Sequence, residues 1–409
     1  MAQLSDDCFA FGGKLQSIDA ALAVIAAGVP CVAGIETVPL LEADGRVLAE
    51  DVISAVDLPP FPNAAVDGYA VRLSDVEGQA VPVLGRLAAG APATPLRPGT
   101  AMRIFTGAPM PGGADTVFMQ EDVIERDGRV LLPEGLRPGA NTRPAGEDIA
   151  HGTLALPKGR VLRPQDVALA AALGLRTLPV RRRLRVALFS TGDELADPGA
   201  PLAPSQRWDS NRVLLAALCR RAGVVVTDLG ILPDLPDAIA AALGTAAGSH
   251  DLVLTSGGVS TGEEDHVRAA VEATGRLVFW RVAIKPGRPV AMGQIGDALF
   301  LGLPGNPVAA YVTFVRLGRA LLAALAGAEP PDFRTLPVVA GFAYRKKPGR
   351  REYVRVRLGS DLVAHKHPVE GAGILTSLTD TDGLLELADD MTSVAPGDPV
   401  GFLGFSGMM

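Results

Sequence analysis

The 409-residue chain has four stretches that differ in their pattern of hydrophobic and polar positions. The first, from about residue 14 to residue 50, is rich in Ala, Leu and Val. Its apolar spacing predicts a helix over residues 19–27 and a second helical run around residues 40–49. Asp44-Gly45 favours a turn inside that second run.

The second stretch extends from residue 57 to about residue 148. Pro and Gly recur every few residues, and short apolar runs alternate with turns. Long amphipathic helical patterns are absent from it. This pattern predicts a mostly β structure.

The third stretch, residues 181–327, alternates strand-like and helix-like runs. Strands are predicted over residues 185–189, 224–229 and 251–255. Helices are predicted from Asp209 to a stop at Gly223, over residues 236–247 and over residues 266–274. This order predicts a parallel sheet with right-handed crossovers. Ligands of such sheets bind beyond the carboxyl ends of the strands, so the loops there are where candidate site residues are sought.

The fourth stretch follows the linker at residues 328–331. Polar and apolar positions alternate in residues 353–358, as in a half-exposed strand, and residues 400–403 form another candidate strand. We expect a small β-barrel or sandwich here. The whole chain is therefore expected to be a multidomain α/β plus β protein.

Composition excludes several classes of protein. Hydrophobic residues make up 48% of the chain and charged residues 20%, which is typical of a folded, soluble protein rather than a disordered one. The net charge of −7 offers no basic surface for nucleic acid, and no segment is predicted to span a membrane. Three widely spaced cysteines predict reduced thiols in a cytoplasmic protein.

Acidic residues follow all three predicted parallel strands. They are Asp193 and Glu194, then Asp234, and finally the run Glu263, Glu264 and Asp265. Carboxylates that meet at one edge of a sheet repel each other unless a cation lies among them. Oxygen ligands without nearby His or Cys favour Mg²⁺ over zinc. The alternative for each acid is a helix cap or a solvated side chain.

Two loops could bind anions through their backbone N–H groups. The loop with Ser256, Gly257, Gly258 and Ser260 precedes a helix and suits a phosphate, although a glycine turn formed for packing alone would have the same pattern. The loop at residues 304–307 leads into an apolar helix, where Asn306 fits the N-cap and Pro307 the first helical position. No G-x-G-x-x-G follows a strand and no P-loop motif occurs, which disfavours a dinucleotide dehydrogenase or P-loop enzyme.

Three cations lie within eight residues at Arg281, Lys285 and Arg288, in a segment stiffened by Pro286 and Pro289. They suit a dianionic oxyanion or a phosphate, and ordinary surface charge is the alternative. If Arg281 and Lys285 share a strand, their spacing places them on one face. His365 and His367 lack further metal-ligand residues nearby, and no Ser-His-Asp motif is present.

These strings, taken together, resemble the MoeA family, which includes the E domain of gephyrin. The matching segments follow family order over almost the whole chain. They are PPFPNAAVDGYAVR (59–72), RIFTGAP (103–109), NTRPAGED (141–148), FSTGDE (189–194), WDSNR (208–212), TSGGVSTGEED (255–265), IKPGR (284–288) and LPGNP (303–307).

The resemblance implies a four-part architecture. It comprises an elongated dimerisation region (14–56 and 149–180), whose N-terminal helix could pack on the α/β domain, an inserted β-rich domain (57–148), a MogA/MoaB-like α/β domain that binds molybdopterin (181–328) and a C-terminal β-barrel (329–409). In relatives the homodimer places the α/β domain of one subunit against the inserted domain of the other.

The resemblance also implies site residues. The expected catalytic set is Asp67, Thr106, Glu194, Asp234, Asp265, Arg281 and Lys285. Glu194, Asp234 and Asp265 are the expected metal ligands. The expected substrate-binding set is Arg143, Asp148, Ser256, Gly257, Gly258, Ser260, Arg288, Pro304, Gly305, Asn306 and Pro307.

The chain departs from the family pattern at a few positions. Pro62, Ala64 and Val66 differ from the usual residues before Asp67, and Arg281 stands where Lys is expected. The segment 368–377 matches only loosely, which leaves the role of Ser377 open.

The activity implied is insertion of molybdate into adenylylated molybdopterin, with Mg²⁺-dependent release of AMP. Partners would be the protein that produces adenylylated molybdopterin and the apo-molybdoenzymes, or their chaperones, that receive the product. Two other functions stay open. One is a scaffold, since gephyrin anchors a receptor peptide through this domain type, and the other is a nucleotide-pyrophosphate hydrolase unrelated to molybdenum.

Overall fold

The computed structural model describes residues 15–76, 78–259 and 266–408, apart from the side chain of Trp280. Helix α1 (Ile18–Gly28) begins after Ser17, whose hydroxyl accepts a hydrogen bond from the Ala20 N–H at 3.1 Å. This confirms the first predicted helix. The second was wrong, because residues 40–49 form only a short 3₁₀ turn (Leu40–Glu42) before the chain turns at Gly45, where φ is +71°.

Strands β1 (Ile35–Pro39) and β2 (Val52–Ile53) complete this first segment. The chain then enters a β domain, as predicted. Its six-stranded sheet has the order β7-β4-β6-β5-β9-β8, and β3 and β10 form a separate antiparallel pair. The strands are β3 (Asn63–Ala64), β4 (Gly68–Val71), β5 (Ala80–Leu87), β6 (Ala101–Ile104), β7 (Thr116–Met119), β8 (Ile124–Arg126), β9 (Arg129–Leu131) and β10 (Thr142–Arg143).

The chain returns from the β domain to pair with its own first segment. Strand β11 (Leu154–Leu156) pairs with β2, and β12 (Thr177–Arg181) pairs with β1, on either side of helix α2 (Pro164–Ala172). Leu48 and Leu162 are buried in the core between these segments. The two stretches that flank the β domain therefore fold as one unit.

The α/β domain has the predicted parallel order. Its sheet runs β16-β13-β17-β21-β20-β18. Strands β16, β13, β17 and β21 are parallel, and β20 is antiparallel to both of its neighbours, β21 and β18. The elements are β13 (Arg185–Thr191), β14 (Leu195–Ala196), β15 (Arg207–Trp208), α3 (Ser210–Arg221), β16 (Val225–Leu232), α4 (Pro236–Ala247), β17 (Leu252–Ser256), α5 (His266–Thr274), β18 (Arg276–Arg281), β19 (Ile284–Lys285), β20 (Pro289–Ile295) and β21 (Ala298–Leu303).

One long helix follows the sheet. It comprises α6 (Pro307–Thr313), a π-helical turn (Phe314–Gly318) and α7 (Arg319–Ala326). Its 20 residues are long and apolar enough to cross a membrane, yet 78% of its most apolar window is buried inside the protein. Its side chains pack with the sheet and with α1, so it is a core helix of this fold.

The last stretch closes into a β-barrel. Strands β24, β25, β22, β28 and β26 form the ring, which the pairing of β26 with β24 completes. The elements are β22 (Leu336–Ala340), β23 (Tyr344–Arg345), β24 (Arg351–Leu358), β25 (Val363–Lys366), α8 (Thr376–Thr379), β26 (Gly383–Leu387), β27 (Ser393–Val394) and β28 (Pro399–Gly404). Strand β19 pairs with β24 and joins the barrel to the α/β domain.

The expectation of a half-exposed strand at residues 353–358 was wrong for most of β24. Residues 352–356 are all buried. Val354 and Val356 fill the barrel, whereas Tyr353 packs into the core of the α/β domain. The strand therefore lies between the core of the barrel and the core of the α/β domain. Its alternation of polar and apolar residues does not indicate a solvent-exposed face.

Arg351, at the start of β24, ties three segments together. Its guanidinium lies 2.8 Å from Asp19 of α1, 3.3 Å from Glu386 of β26 and 3.2 Å from Asp389. The Arg351 side chain is only 15% exposed. These contacts anchor the barrel against the N-terminal helix.

We predict that Arg351→Ala lowers the free energy of unfolding by about 1–3 kcal/mol, because Asp389 loses its partner in a partly buried site and Glu386 keeps only Arg316, at 3.5 Å. The loss is measured as a lower Tm by calorimetry. Arg345→Ala removes the same charge from an exposed position and is the control. Equal melting temperatures for the two variants would show that the Arg351 contacts do not stabilise the fold.

Candidate functional site

The carboxyl ends of the parallel strands meet around a pocket of about 200 Å³, here named the strand-end pocket. Three loops form it, after β13, β17 and β21, together with the first turn of α3. Among its lining residues are Glu194, Asn211, Ser256, Gly257 and Asn306. The structure thus brings together predicted residues from three separate loops.

Asn211 joins two of these loops. Its side-chain N–H₂ donates to the Ser256 hydroxyl and to the Gly305 carbonyl oxygen, each at 2.8 Å. Asp209 caps the helix by accepting from the Arg212 N–H at 3.1 Å, which places Asn211 at the first turn. Sequence reasoning treated Asn211 as part of a helix start and missed its role at the pocket.

The glycines of the β17 loop are required by geometry. Gly258 has a φ of +63°, and a Cβ there would lie 2.4 Å from Val267 and 2.8 Å from the Thr191 hydroxyl. Gly257 has a φ of +93°. The Gly257 N–H donates to the Leu303 carbonyl oxygen at 3.1 Å, so these glycines allow the loop to pack closely against the end of β21. Ser260 lies outside the described residues.

The predicted acids lie at this edge, but the described ones are not all free. Glu194 forms an ion pair with Arg207 at 2.7 Å. The Asp234 N–H lies 3.5 Å from the Asp193 carboxylate, so the loops after β13 and β16 meet. Asp265 lies outside the described residues. Within residues 15–76, 78–259 and 266–408, no group of three or more His, Cys, Asp or Glu residues could hold a metal ion.

Magnesium nevertheless fits the oxygen-rich chemistry of this edge. The ion commonly uses one or two carboxylates and completes its shell with water and substrate phosphates. Oxygen atoms of Ser190, Thr191 and Asn211 are buried at the strand-end pocket without a hydrogen-bond partner among the described residues. Unmatched buried oxygens are unfavourable alone and indicate that a polar ligand belongs there.

A second pocket of about 330 Å³ lies between the α/β domain and the barrel, and is here named the interdomain pocket. Asn306 lines both pockets, so the two adjoin. Asn306 occupies the N-cap position of α6 and Pro307 the first helical position, as predicted, but the Asn306 side chain forms no capping hydrogen bond. Pro304 also lines the interdomain pocket.

Four cations lie among the mostly apolar residues that line the interdomain pocket. They are Lys285, Arg288, Arg355 and Lys366, with His367 beside them and Glu352 and Glu370 as the acids. Lys285 reaches it because β19 pairs with β24, which sets Lys285 opposite Glu352. The Lys285 ammonium donates to Tyr344 at 3.0 Å and to Glu352 at 3.1 Å.

These hydrogen bonds keep both groups charged. Burial acts to lower the pKa of Lys285, but the hydrogen bonds to Tyr344 and Glu352 outweigh it and raise the pKa above its usual value. Burial acts to raise the pKa of Glu352, but hydrogen bonds from Tyr344, Lys285 and Arg350 lower it. Lys285 is therefore a full positive charge at neutral pH.

Arg355 was not predicted as a site residue. It is buried, and its guanidinium donates to the Ser377 hydroxyl at 3.1 Å and to backbone carbonyl oxygens. Among described carboxylates none forms an ion pair with it. Ser377, whose role the sequence left open, is fully buried and orients Arg355. The alternating pattern of β24 predicted that Arg355 faces solvent, so the sequence did not indicate that Arg355 lines a pocket.

Arg281 does not join the other cations in a pocket. It ends β18, whereas Lys285 ends β19 in a different sheet, so the expectation of one shared strand face was wrong. Arg281 lines neither the strand-end nor the interdomain pocket.

The predicted residues of the β domain form a separate group. The Asp67 carboxylate accepts from the Thr106 N–H at 2.8 Å and from its hydroxyl at 2.7 Å, and these bonds lower the pKa of Asp67. Arg143 lies 3.9 Å from Glu147 and is 59% exposed. Asp67, Thr106, Arg143 and Asp148 line neither pocket of this chain.

A shallow groove lies next to Asp67 and Thr106 on the same domain. Arg103 stacks over Tyr69 and Phe105, with its guanidinium carbon 4.9 Å and 5.2 Å from the ring centres. Arg86 stacks over Phe105 at 4.5 Å. Planar cations held by aromatic rings suit a flat anionic partner.

Three family models together match most of the chain. They are the MoeA N-terminal region (domain I and II) over residues 16–174, the probable molybdopterin binding domain over residues 187–324 and the MoeA C-terminal region (domain IV) over residues 337–405.

Named relatives match over nearly their full length. The molybdopterin molybdenumtransferase of Haemophilus influenzae is 38% identical over 89% of this chain and 92% of its own. Molybdopterin molybdenumtransferase 2 of Mycobacterium tuberculosis is 37% identical over 88% of this chain and 93% of its own.

A solved structure of the molybdopterin biosynthesis MoeA protein from Pyrococcus horikoshii superimposes with a TM-score of 0.83. It is 30% identical and covers 96% of this chain and 100% of its own. Its likeness extends across all parts of the fold described above. The chain therefore belongs to the MoeA family.

Proposed function

We propose that this protein, which resembles proteins named molybdopterin molybdenumtransferase, inserts molybdate into adenylylated molybdopterin and releases AMP. The observation that carries the proposal is the pair of adjoining pockets that share Asn306. One pocket offers polar oxygen atoms of Ser190, Thr191 and Asn211 that have no partner among the described residues, and the other offers cations. A phosphoanhydride suits the first, and the molybdate dianion suits the second.

In this proposal the phosphates lie against the loops that contain Gly257 and Asn306, beyond the carboxyl ends of the parallel strands. Asn211 keeps these two loops at a fixed separation. Pro304 lines the interdomain pocket two residues before Asn306, which both pockets share. The dithiolene sulfurs of the substrate carry out the metal chemistry, and the protein orients the reactants and screens their charge.

Molybdate would be held by Lys285, Arg355 and Arg288, with Ser377 as a positioning residue behind Arg355. A pocket partly closed by the barrel strengthens these charge interactions relative to open water. Glu352 offsets part of the positive charge, which favours release of the product.

Mg²⁺ would be held by Glu194, Asp234 and Asp265, and it would neutralise charge on the phosphoanhydride when bound. Arg207 competes for Glu194 in the described arrangement, so its side chain must swing away when the ion binds. The Arg207 side chain is 68% exposed, which permits that movement.

We further propose that the working form is a homodimer in which the partner supplies Asp67, Thr106, Arg143 and Asp148. The support is that two hydrogen bonds hold Asp67 and Thr106 together, yet none of the four residues lines either pocket within one chain. A symmetric dimer would bring these polar side chains of one subunit to the pockets of the other.

The central test supplies the purified chain with adenylylated molybdopterin, molybdate and Mg²⁺. AMP is measured by chromatography, and the product is assayed by activation of an apo-molybdoenzyme. We expect AMP only when both molybdate and Mg²⁺ are present, and a large loss of AMP release in Glu194→Ala. AMP release without molybdate would instead indicate a nucleotide-pyrophosphate hydrolase, and no turnover would indicate a scaffold.

Lys285→Ala is expected to raise the KM for molybdate about 10- to 100-fold, because one charge-assisted contact is lost and Glu352 then repels the dianion. Lys347→Ala removes an exposed lysine of the barrel and is the control. An unchanged KM for molybdate with a lower kcat would place Lys285 in another step of the reaction.

Subunit mixing tests the shared site. Asp67→Ala and Lys285→Ala are each expected to be nearly inactive at low molybdate. Co-expression should restore about a quarter of wild-type activity, because half of randomly formed dimers are heterodimers with one intact site of two. Activity that stays at the level of the separate variants would show that each chain builds its site alone.

A further inference from the structure

The opposite edge of the α/β sheet carries a third cavity, of about 490 Å³, here named the arginine cavity. It is lined by the residues that lead into β13 and β16, by the end of α3, by α7 and by the turn at Gly45. These are the amino ends of the strands, so the cavity lies across the sheet from the strand-end pocket. Nothing in the proposed reaction uses it.

Seven of the residues that line the arginine cavity are arginines, and Glu329 is the one acidic residue among those described. Such a concentration is unexpected in a chain with a net charge of −7. Like charges packed together repel, and they persist where an anion offsets them.

Two of the arginines have carboxylate partners. Arg182 forms paired contacts with Asp251 at 2.7 Å and 2.8 Å, and Arg46 pairs with Glu36. These two ion pairs belong to the structure of the domain, and the other five guanidinium groups form no ion pair with a described carboxylate.

Three of those five bind only backbone carbonyl oxygens in the described part of the chain. Arg181 donates at 3.2 Å and Arg183 at 2.9 Å, and Arg319 donates to the carbonyl of Met408. Carbonyl groups position a guanidinium without cancelling its charge. The Nε of Arg181 is buried and has no acceptor among the described residues.

Burial lowers the pKa of Arg319, with no carboxylate to oppose the effect. A guanidinium remains charged even so, and the Met408 carbonyl oxygen and the Phe333 ring, 5.3 Å away, offset the cost of its desolvation only in part. An anion in the cavity would relieve it.

Arg220 and Arg221 end α3 and are exposed at the mouth of the cavity. Neither forms an ion pair with any carboxylate in residues 15–76, 78–259 or 266–408. Cations at a helix C-terminus interact favourably with the helix dipole. That effect explains a basic residue at this point, but it does not explain why five more arginines face the same space.

We propose that the arginine cavity binds a small polyphosphate anion, either inorganic or the phosphate chain of a nucleotide. Planar guanidinium forks match phosphate oxygens in pairs, which lysines cannot do. The volume suits a small ligand rather than a protein segment. Leu184, Val224 and Leu322 form an apolar floor that keeps water from the inner guanidinium groups.

The test is calorimetric titration of the full chain with inorganic triphosphate in buffer without Mg²⁺. Arg220→Gln with Arg221→Gln should weaken binding at least about tenfold, since two charge-assisted contacts are lost. Arg126→Gln with Arg137→Gln makes the same charge change at exposed positions of the β domain and should bind as the wild type does. Affinity should fall as salt is added.

A second pair of substitutions, Lys285→Gln with Arg288→Gln, separates this cavity from the interdomain pocket and should leave one triphosphate bound. Protection of Arg220 and Arg221 from phenylglyoxal, mapped by mass spectrometry, should accompany binding. The proposal is overturned if the wild type binds no triphosphate at millimolar concentration. It is equally overturned if the Arg220 and Arg221 variant binds as the wild type does, or if the Lys285 and Arg288 variant loses all binding. Titration with ATP then shows whether a nucleoside adds affinity to the phosphate chain.

Discussion

The pairing of β19 with β24 is the interaction on which the candidate site depends. It is only two residues long, yet it holds the barrel over the carboxyl edge of the parallel sheet. That edge alone would be an open rim, where water screens every charge. With the barrel in place, loops after β13, β17 and β21 and cations from β24 and β25 surround two adjoining pockets. The pairing also sets Lys285 against Glu352, so the same contact that joins the domains places the principal cation.

The same pairing determines how the charged side chains of the interdomain pocket are compensated. Glu352 is only 1% exposed and is contacted by Lys285 and Arg350, so a buried carboxylate is satisfied by cations that face the pocket. Arg355 is satisfied by a hydroxyl and carbonyl oxygens rather than by an acid. The pocket thus combines two cations that are paired with acids, Lys285 and Lys366, with Arg355, which forms no ion pair with a described carboxylate. Such a mixture attracts a dianion without the very tight binding that a row of unpaired charges would give, and an enzyme that must release its product needs that moderation.

Much of this could be read from the sequence because the α/β domain is built from local signals. The helix over residues 236–247 was predicted to the residue, and the helix described from His266 ends at the predicted Thr274, since proline, glycine and apolar spacing mark these ends. The rule that parallel strands present their carboxyl ends together was enough to bring Glu194 and Ser256 to one pocket.

Other features depend on contacts between distant segments, which local pattern does not encode. The run at residues 40–49 has the apolar content of a helix, but its backbone pairs with residues 161 and 180 instead. Strand β24 alternates as an exposed strand does, yet it lies between two cores, so Arg355 was overlooked. Asn211 was treated as a helix-start residue because its two partners, Ser256 and Gly305, are 45 and 94 residues away.

Helix α3 and strand β13 extend from the strand-end pocket to the arginine cavity. Asn211 lies at one end of α3 and Arg221 at the other. This continuity does not by itself couple the two sites, because a rigid element transmits a change only when it has two arrangements that ligands can favour differently. Asn211 is bonded to two loops, and buried Leu215 and Cys219 hold the middle of the helix in the core. A helix so fixed favours two independent sites, and any anion bound at the arginine cavity would then stabilise the domain rather than regulate its chemistry.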